Sequence, residues 1–260
     1  MTITDQIKEL RAKTGVGIMK CKEAITATNG DQNLAIEYLR KSGIADAEGR
    51  SGRKTTEGYI NTLITPNSGV MVEVLCETDF VSATDRFQTF CHNIAHNAIN
   101  SVHEGDITKF VVDSEEGNLG DIVASLQENI KINRVVKWTT EGNIIGYVHP
   151  NQPIGVLVDV SGGDPDFLGH IAQHIAASKP EYLTPDDIPE EATKAEQEIH
   201  LATLSGKPEA ILNKIVKGKM NKWHSNVCLS NQEWFFSDSK EKVSDVSDAK
   251  INRFEYWRIG

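Results

Sequence analysis

Apolar positions in the first 43 residues recur at helical spacing and are interrupted by glycine. Ile3, Ile7 and Leu10 follow one helical face until Thr14-Gly15-Val16-Gly17 breaks it. Ile18, Cys21 and Ile25 stripe a second helix, which Asn29-Gly30 ends. Asp31 is placed to cap a third, with Leu34, Ala35, Tyr38 and Leu39 inward and Gly43 as its stop. Three helices this short enclose a very small core, and such a domain ordinarily leans on a partner surface. Residues 44–56 hold Gly49 and Gly52 and few apolar side chains, and read as a mobile, basic linker.

The pattern then switches to the two-residue period of strands. Tyr59 to Thr65 and Val70 to Cys76 read as a hairpin around Pro66-Asn67-Ser68-Gly69, with Val70, Val72, Val74 and Cys76 on one face. Helical spacing returns over Thr84 to Val102 and over Leu119 to Gln127, ahead of a strand holding Ile130, Ile132, Val135 and Val136. Ile144 to Val148 and Ile154 to Val160 are further strands, Asp164 to Ala177 a helix, and Ile251 to Ile259 a last strand. This order predicts an α+β body of two similar halves, although direct identity between them reads as too low for an internal repeat.

Residues 186–223 differ. Ile188, Ala192, Ala195, Ile199 and Ala202 advance at heptad spacing, Gly206 and Pro208 mark a reversal, and Leu212, Ile215 or Val216, Met220 and Trp223 line a return helix. The first arm is acidic and the second carries Lys207, Lys214, Lys217, Lys219 and Lys222, so antiparallel pairing sets opposite charges side by side. Arms this short bury little alone, so the hairpin is expected to dock on something, including a second copy of the chain.

Composition excludes more than it identifies. The 260 residues are 39% hydrophobic and 25% charged, ordinary for a globular protein. No apolar run approaches a membrane span, and the start lacks a signal or transit pattern, which predicts a cytoplasmic protein. A net charge of −10 argues against general nucleic-acid binding. It is unevenly spread: residues 1–54 balance at +3 and the rest at −13. Cys21, Cys76, Cys91 and Cys228 form no C-x-x-C pair and read as separate reduced thiols.

Motifs for catalysis are scarce. His92/His96 and His170/His174 stand at the i, i+4 spacing of a zinc helix, but Ile171 occupies the place of the zincin glutamate, and the bland reading is structural or surface histidines. No phosphate-loop, dinucleotide or nucleophile-elbow motif occurs. Ser161-Gly162-Gly163-Asp164 is either an anion-binding turn or, more simply, a strand-to-helix connection. The informative segment is Cys76-Glu77-Thr78-Asp79-Phe80-Val81. It falls where a strand ends and a helix starts, with Ser82 or Thr84 available as N-cap. An aromatic beside a carboxylate at an exposed junction suits a protein partner; a core phenylalanine is the plain alternative.

At this point the sequence resembles the elongation factor Ts family along nearly its whole length. Thr14-Gly15-Val16-Gly17-Ile18-Met19-Lys20-Cys21-Lys22-Glu23-Ala24 matches the family's opening signature, and Cys76 through Val81 its second. His170-Ile171-Ala172, Ala176-Ala177-Ser178-Lys179-Pro180 and Ser205-Gly206-Lys207-Pro208 also match. The resemblance implies a ubiquitin-associated-like head (1–43), a linker (44–56) and an α+β core of two subdomains, 57–141 and 142–185 completed by 224–260. A helical hairpin (186–223) would protrude from it.

The resemblance further implies a guanine nucleotide exchange factor without catalytic residues, metal or cofactor, acting on elongation factor Tu in its GDP-bound and nucleotide-free forms. Thr78, Asp79, Phe80 and Val81 would disturb that partner's magnesium and phosphate site. Lys22, His149, Phe235 and Phe236 would make further contacts. The chain departs from the family at Leu126-Gln127-Glu128-Asn129, where Ile-Gly-Glu-Asn is frequent, and at bulky Trp234; an additional C-terminal helix of some members is not matched. Two rivals are an adapter whose head binds ubiquitin-like partners, separable by titrating the head with ubiquitin, and a metal hydrolase, separable by zinc analysis.

Overall fold

The computed structural model of the chain describes residues 2–202 and 209–260. Three helices open it: α1 (Ile3–Thr14), α2 (Ile18–Ala27) and α3 (Gln32–Arg50). Thr2 and Asp5 form a reciprocal capping box on α1, and Gly15, at φ 68°, ends it in the left-handed conformation. Leu10, Val16, Cys21, Ala24, Ile25, Ala35 and Leu39 make the small core, completed by Ala124 from a later helix. Too few positions are enclosed to cover every stripe residue. Ile3, Ile18 and Leu34, expected inward, are exposed.

The third helix also outruns its expected stop at Gly43 and continues to Arg50, inside the segment read as a mobile linker. Gly43 serves packing instead. A Cβ there would stand 2.6 Å from the Gly120 carbonyl oxygen, so glycine lets α3 and the helix carrying Gly120 approach closely. The head is thereby packed against the body.

The body contains β1 (Glu57–Thr65), β2 (Ser68–Cys76), α4 (Asp79–Ser82), α5 (Asp85–Ile99), β3 (Gly105–Asp106), α6 (Thr108–Leu126) and β4 (Lys131–Thr139). There follow β5 (Asn143–Val148), β6 (Ile154–Ser161), α7 (Pro165–Ser178), α8 (Glu190–Ala202), α9 (Glu209–Val227), α10 (Val243–Val246) and β7 (Lys250–Arg258). The antiparallel sheets run β1-β2-β4-β3 and β5-β6-β7. Val70, Val72, Val74 and Cys76 face α5 and α6, whose Phe87, Ile94 and Ile122 cover them. Val156, Val158 and Val160 face α7 through Phe167, Ile171 and Ile175. Between the sheets lie Ile60, Met71, Trp138, Leu157 and Trp257. The order of layers is therefore helices, sheet, sheet, helix.

The halves repeat more closely than their overall identity suggests. Gly69-Val70-Met71-Val72-Glu73-Val74 in β2 corresponds to Gly155-Val156-Leu157-Val158-Asp159-Val160 in β6, and each strand has a register shift directly after its acid. Lys131-Ile132-Asn133-Arg134 with Trp138 is answered by Lys250-Ile251-Asn252-Arg253 with Trp257. The contacts between the sheets are reciprocal. The Arg134 guanidinium lies 4.6 Å from the centre of Trp257, and that of Arg253 lies 4.6 Å from Trp138. Arg134 also pairs with buried Glu73 at 2.7 Å, and Arg253 with buried Asp159 at 3.1 Å. A Cβ on Gly155 would strike Ile60, while one on Gly69 would strike Ile144. The expectation of halves without an internal repeat is corrected: a short duplicated motif survives where the sheets meet.

α8 and α9 pack on each other as the heptad pattern predicts, but α8 buries none of its residues and Ile199 is exposed. The Gly206–Pro208 reversal and the motif Ser205-Gly206-Lys207-Pro208 lie outside the described residues. Among the described residues no helix is long and apolar enough to cross a membrane.

Candidate partner-binding site

β2 ends at Cys76, and the chain turns sharply. Thr78 is extended (φ −130°, ψ 153°), and its hydroxyl accepts a hydrogen bond from the Val81 amide at 3.3 Å, starting α4. Thr84 performs the same service for α5 through the Phe87 amide at 3.3 Å. Ser82, the other expected cap, does not; its hydroxyl donates to the Asp79 carbonyl at 2.9 Å. Val81 packs onto the first core. Asp79 and Phe80 are left outward, and Phe80 is 81% exposed. Of the four residues Thr78 to Val81, two shape the turn and two are presented by it.

The second half makes the same strand-to-helix connection with opposite surface chemistry. Counting from the acids Glu73 and Asp159, Thr78 corresponds to Asp164, Phe80 to Asp166 and Val81 to Phe167. Asp164 caps α7, accepting from the amides of Asp166 at 3.1 Å and Phe167 at 3.0 Å, and Phe167 is buried. Asp166 is exposed. One copy of the turn therefore offers water a carboxylate where the other offers a benzyl ring. The capping and strand geometry account fully for Ser161-Gly162-Gly163-Asp164 as a connection.

Near the first turn, the Arg86 guanidinium donates to the Thr14 carbonyl and fills the space beside Gly15, pinning the head's first loop to the start of α5. α2 follows that loop. Lys22 is exposed on it, and so is Met19, at 75%. Met19 is a candidate contact that the sequence reading passed over. The signal was its place off the Cys21–Ile25 stripe, in a helix too short to bury two faces.

His149, Phe235 and Phe236 come together on the other half. They border a groove of about 360 Å³ with Tyr147, Gln173 and Lys179. The His149 ring stands edge-on to Tyr147 at 6.2 Å. Phe235 is 68% exposed and Phe236 41%, the latter leaning on His170 at 4.4 Å. Trp234 is buried, stacked on Phe167 and His174, so its bulk fills core rather than surface. The first turn and this groove belong to different halves, and the structure does not merge them into one site.

His174 holds the groove's aromatic loop from beneath. Its Nδ1 accepts from the Phe235 amide at 3.3 Å, which leaves Nε2–H to donate to the Gln232 side-chain oxygen at 3.1 Å. Both ring nitrogens are committed, so this member of the His170/His174 pair has no lone pair for a metal. Burial pushes the His174 pKa below its ordinary 6.5, opposed by the Gln232 hydrogen bond. A lowered folded-state value means the neutral ring stabilises the fold above pH 6.5 and that contribution is lost as pH falls through the folded pKa. Stability by chemical denaturation is expected to drop from pH 7 to pH 5, with a shallower drop in His174→Leu. An equal drop in both would remove His174 as the cause. Among the described residues no group of three or more potential metal ligands converges.

The fold and its surfaces define a class: a duplicated α+β protein that leaves aromatic side chains exposed in two places, Phe80 on one half and Phe235 with Phe236 on the other. The chain is matched by the family model described as elongation factor TS over residues 77–260. It is 41% identical to the elongation factor Ts of Halothermothrix orenii, over 98% of this chain and 91% of that protein. It is 40% identical to the elongation factor Ts of Escherichia coli, over 98% and 90%. The same figures hold for that of Shigella boydii. The chain belongs to the elongation factor Ts family.

Proposed function

We propose that this chain is a nucleotide exchange factor for elongation factor Tu, working in the cytoplasm and catalysing no covalent step. One observation carries the reading: a phenylalanine 81% exposed beside an exposed aspartate, on a turn whose other residues are anchored. An exposed ring on a well-capped turn costs hydration free energy unless a partner covers it.

The mechanism is linkage. Magnesium bridging phosphate oxygens and protein supplies much of a GTPase's nucleotide affinity. Phe80 would enter between helices of the partner's nucleotide-binding domain, with Asp79 redirecting polar groups near the metal. If this binding mode requires the metal geometry to be disturbed, factor and nucleotide weaken each other by the same factor. Each tenfold weakening needs about 1.4 kcal/mol of differential contact. Lys22 and Met19 would hold the same domain, and His149, Phe235 and Phe236 would grip another, so the turn acts against a fixed body.

The test is to load elongation factor Tu with a fluorescent GDP analogue, add excess GDP and this chain, and time the fluorescence loss. Acceleration that rises with the chain's concentration and saturates is expected. No acceleration at any concentration counts against the reading.

A further inference from the structure

The Thr78 cap of the first half is assembled differently from the Asp164 cap of the second. Asp164 takes the helix amides with its own carboxylate. Thr78 has only a hydroxyl, and the carboxylate comes from Glu128, on the connection between α6 and β4. One oxygen of Glu128 accepts from the amides of Glu77 at 3.1 Å and Thr78 at 3.0 Å; the other accepts from the Thr78 hydroxyl at 2.6 Å. Because that proton goes to Glu128, the Thr78 oxygen turns a lone pair toward the Val81 amide, which it accepts at 3.3 Å. Glu77 answers in the opposite direction, accepting from the Asn129 amide at 2.6 Å and pairing with Arg53 at 3.3 Å. The Asn129 side chain donates to the Arg53 carbonyl at 2.7 Å, so the segment after α3 is tied to the same knot.

We infer that Glu128 is the positioning residue of the proposed exchange site: its carboxylate orients the Thr78 hydroxyl and so fixes the direction in which Asp79 and Phe80 are presented. Charge-assisted hydrogen bonds of this kind are about twice as strong as neutral ones. Three converge on the two residues that precede Asp79. Nothing else described holds those donors. The inference rests on the proposed role of Phe80, and Glu128 need not touch the partner to act.

The test uses the full chain in the fluorescent-GDP assay, comparing Glu128→Ala, the near-isosteric Glu128→Gln, Phe80→Ala, and Glu128→Ala/Phe80→Ala. Melting and near-ultraviolet circular dichroism check that each variant is folded. Glu128→Ala is expected to lower the saturating release rate about tenfold. Glu128→Gln should be intermediate, since its oxygen still accepts an amide while its NH₂ cannot accept the hydroxyl proton. The double variant should be clearly faster than the product of the two single effects predicts, because Glu128 acts mainly through that ring and only the presentation of Asp79 is left for it to lose. If Phe80→Ala is slow but both Glu128 variants match the parent, or if the two effects multiply in full, the positioning role is overturned and the exchange reading stands. If Phe80→Ala releases GDP at the parent's stimulated rate, the proposed role of Phe80 falls and takes this inference with it, while the exchange activity itself stands; if the parent chain gives no acceleration, the exchange reading falls.

Discussion

Phe80→Ala is expected to slow stimulated GDP release from elongation factor Tu by about 30-fold, the equivalent of about 2 kcal/mol at a central interface aromatic. The same variant should melt with the parent, because a ring 81% exposed contributes almost nothing to the core. This separation gives the experiment its force: a buried residue would lose activity by unfolding, and Phe80 has no such route. The loss should appear in the saturating rate more than in the concentration needed for half saturation. A ring that disturbs the partner's metal site acts in the step that weakens nucleotide, whereas Lys22 or Phe235 would act mainly on affinity. Unchanged release, with the variant still bound, would mean that the exposed ring serves some other purpose. Asp166→Phe is the informative companion. It puts a ring on the corresponding turn of the second half, and no gain is expected because that turn lacks the neighbouring head.

Arg134→Met is expected to destabilise the fold by about 3 kcal/mol. Glu73 is almost completely buried, and its oxygens are held by the Arg134 guanidinium at 2.7 Å and the Asn133 amide at 2.6 Å. Methionine fills most of the space but leaves a carboxylate between two sheets with one neutral donor. The arginine's stacking on Trp257 is lost as well. For a chain of this size, 3 kcal/mol lowers the melting temperature by roughly 6–12 °C. Glu73→Leu/Arg134→Met should recover most of the loss, since removing both members of a buried pair is commonly neutral. A double variant as unstable as the single one would show that the ion pair is not the source. Arg253→Met, which uncovers Asp159 and the face of Trp138, should behave alike, a direct check on the equivalence of the halves.

Much of the architecture is legible in one dimension. Alternation over Val70 to Cys76 and over Ile154 to Val160 marks strands because a strand's side chains switch faces at every residue. Thr84 and Asp164 mark helix starts because their oxygens reach the first free amides. Cys76 through Val81 stands out as a junction on the same grounds. Other positions read wrongly for identifiable reasons. Gly43 looks like a terminator because glycine favours helix ends, but the Gly120 carbonyl of another helix requires its missing side chain. α6 starts at Thr108, well before Leu119: Val111, Val112 and Gly117 weaken the local helix signal, but burial of the valines in the first core and the close approach of the Arg40 side chain to Gly117 hold the helix there. Ile18 fits a stripe and yet faces water, since a three-helix core runs out of room.

Local patterning thus settled the kinds of element, their order, most of their ends and the place of the acid–aromatic junction, because each depends on neighbours within a few residues. Which side chains of that junction point outward was decided by folding. Val81 finds a core to enter, Glu128 arrives from fifty residues away to hold Thr78, and Phe80 is left with nothing to cover it. The reciprocal arginine–tryptophan contacts arise the same way, from sheets that meet only in three dimensions.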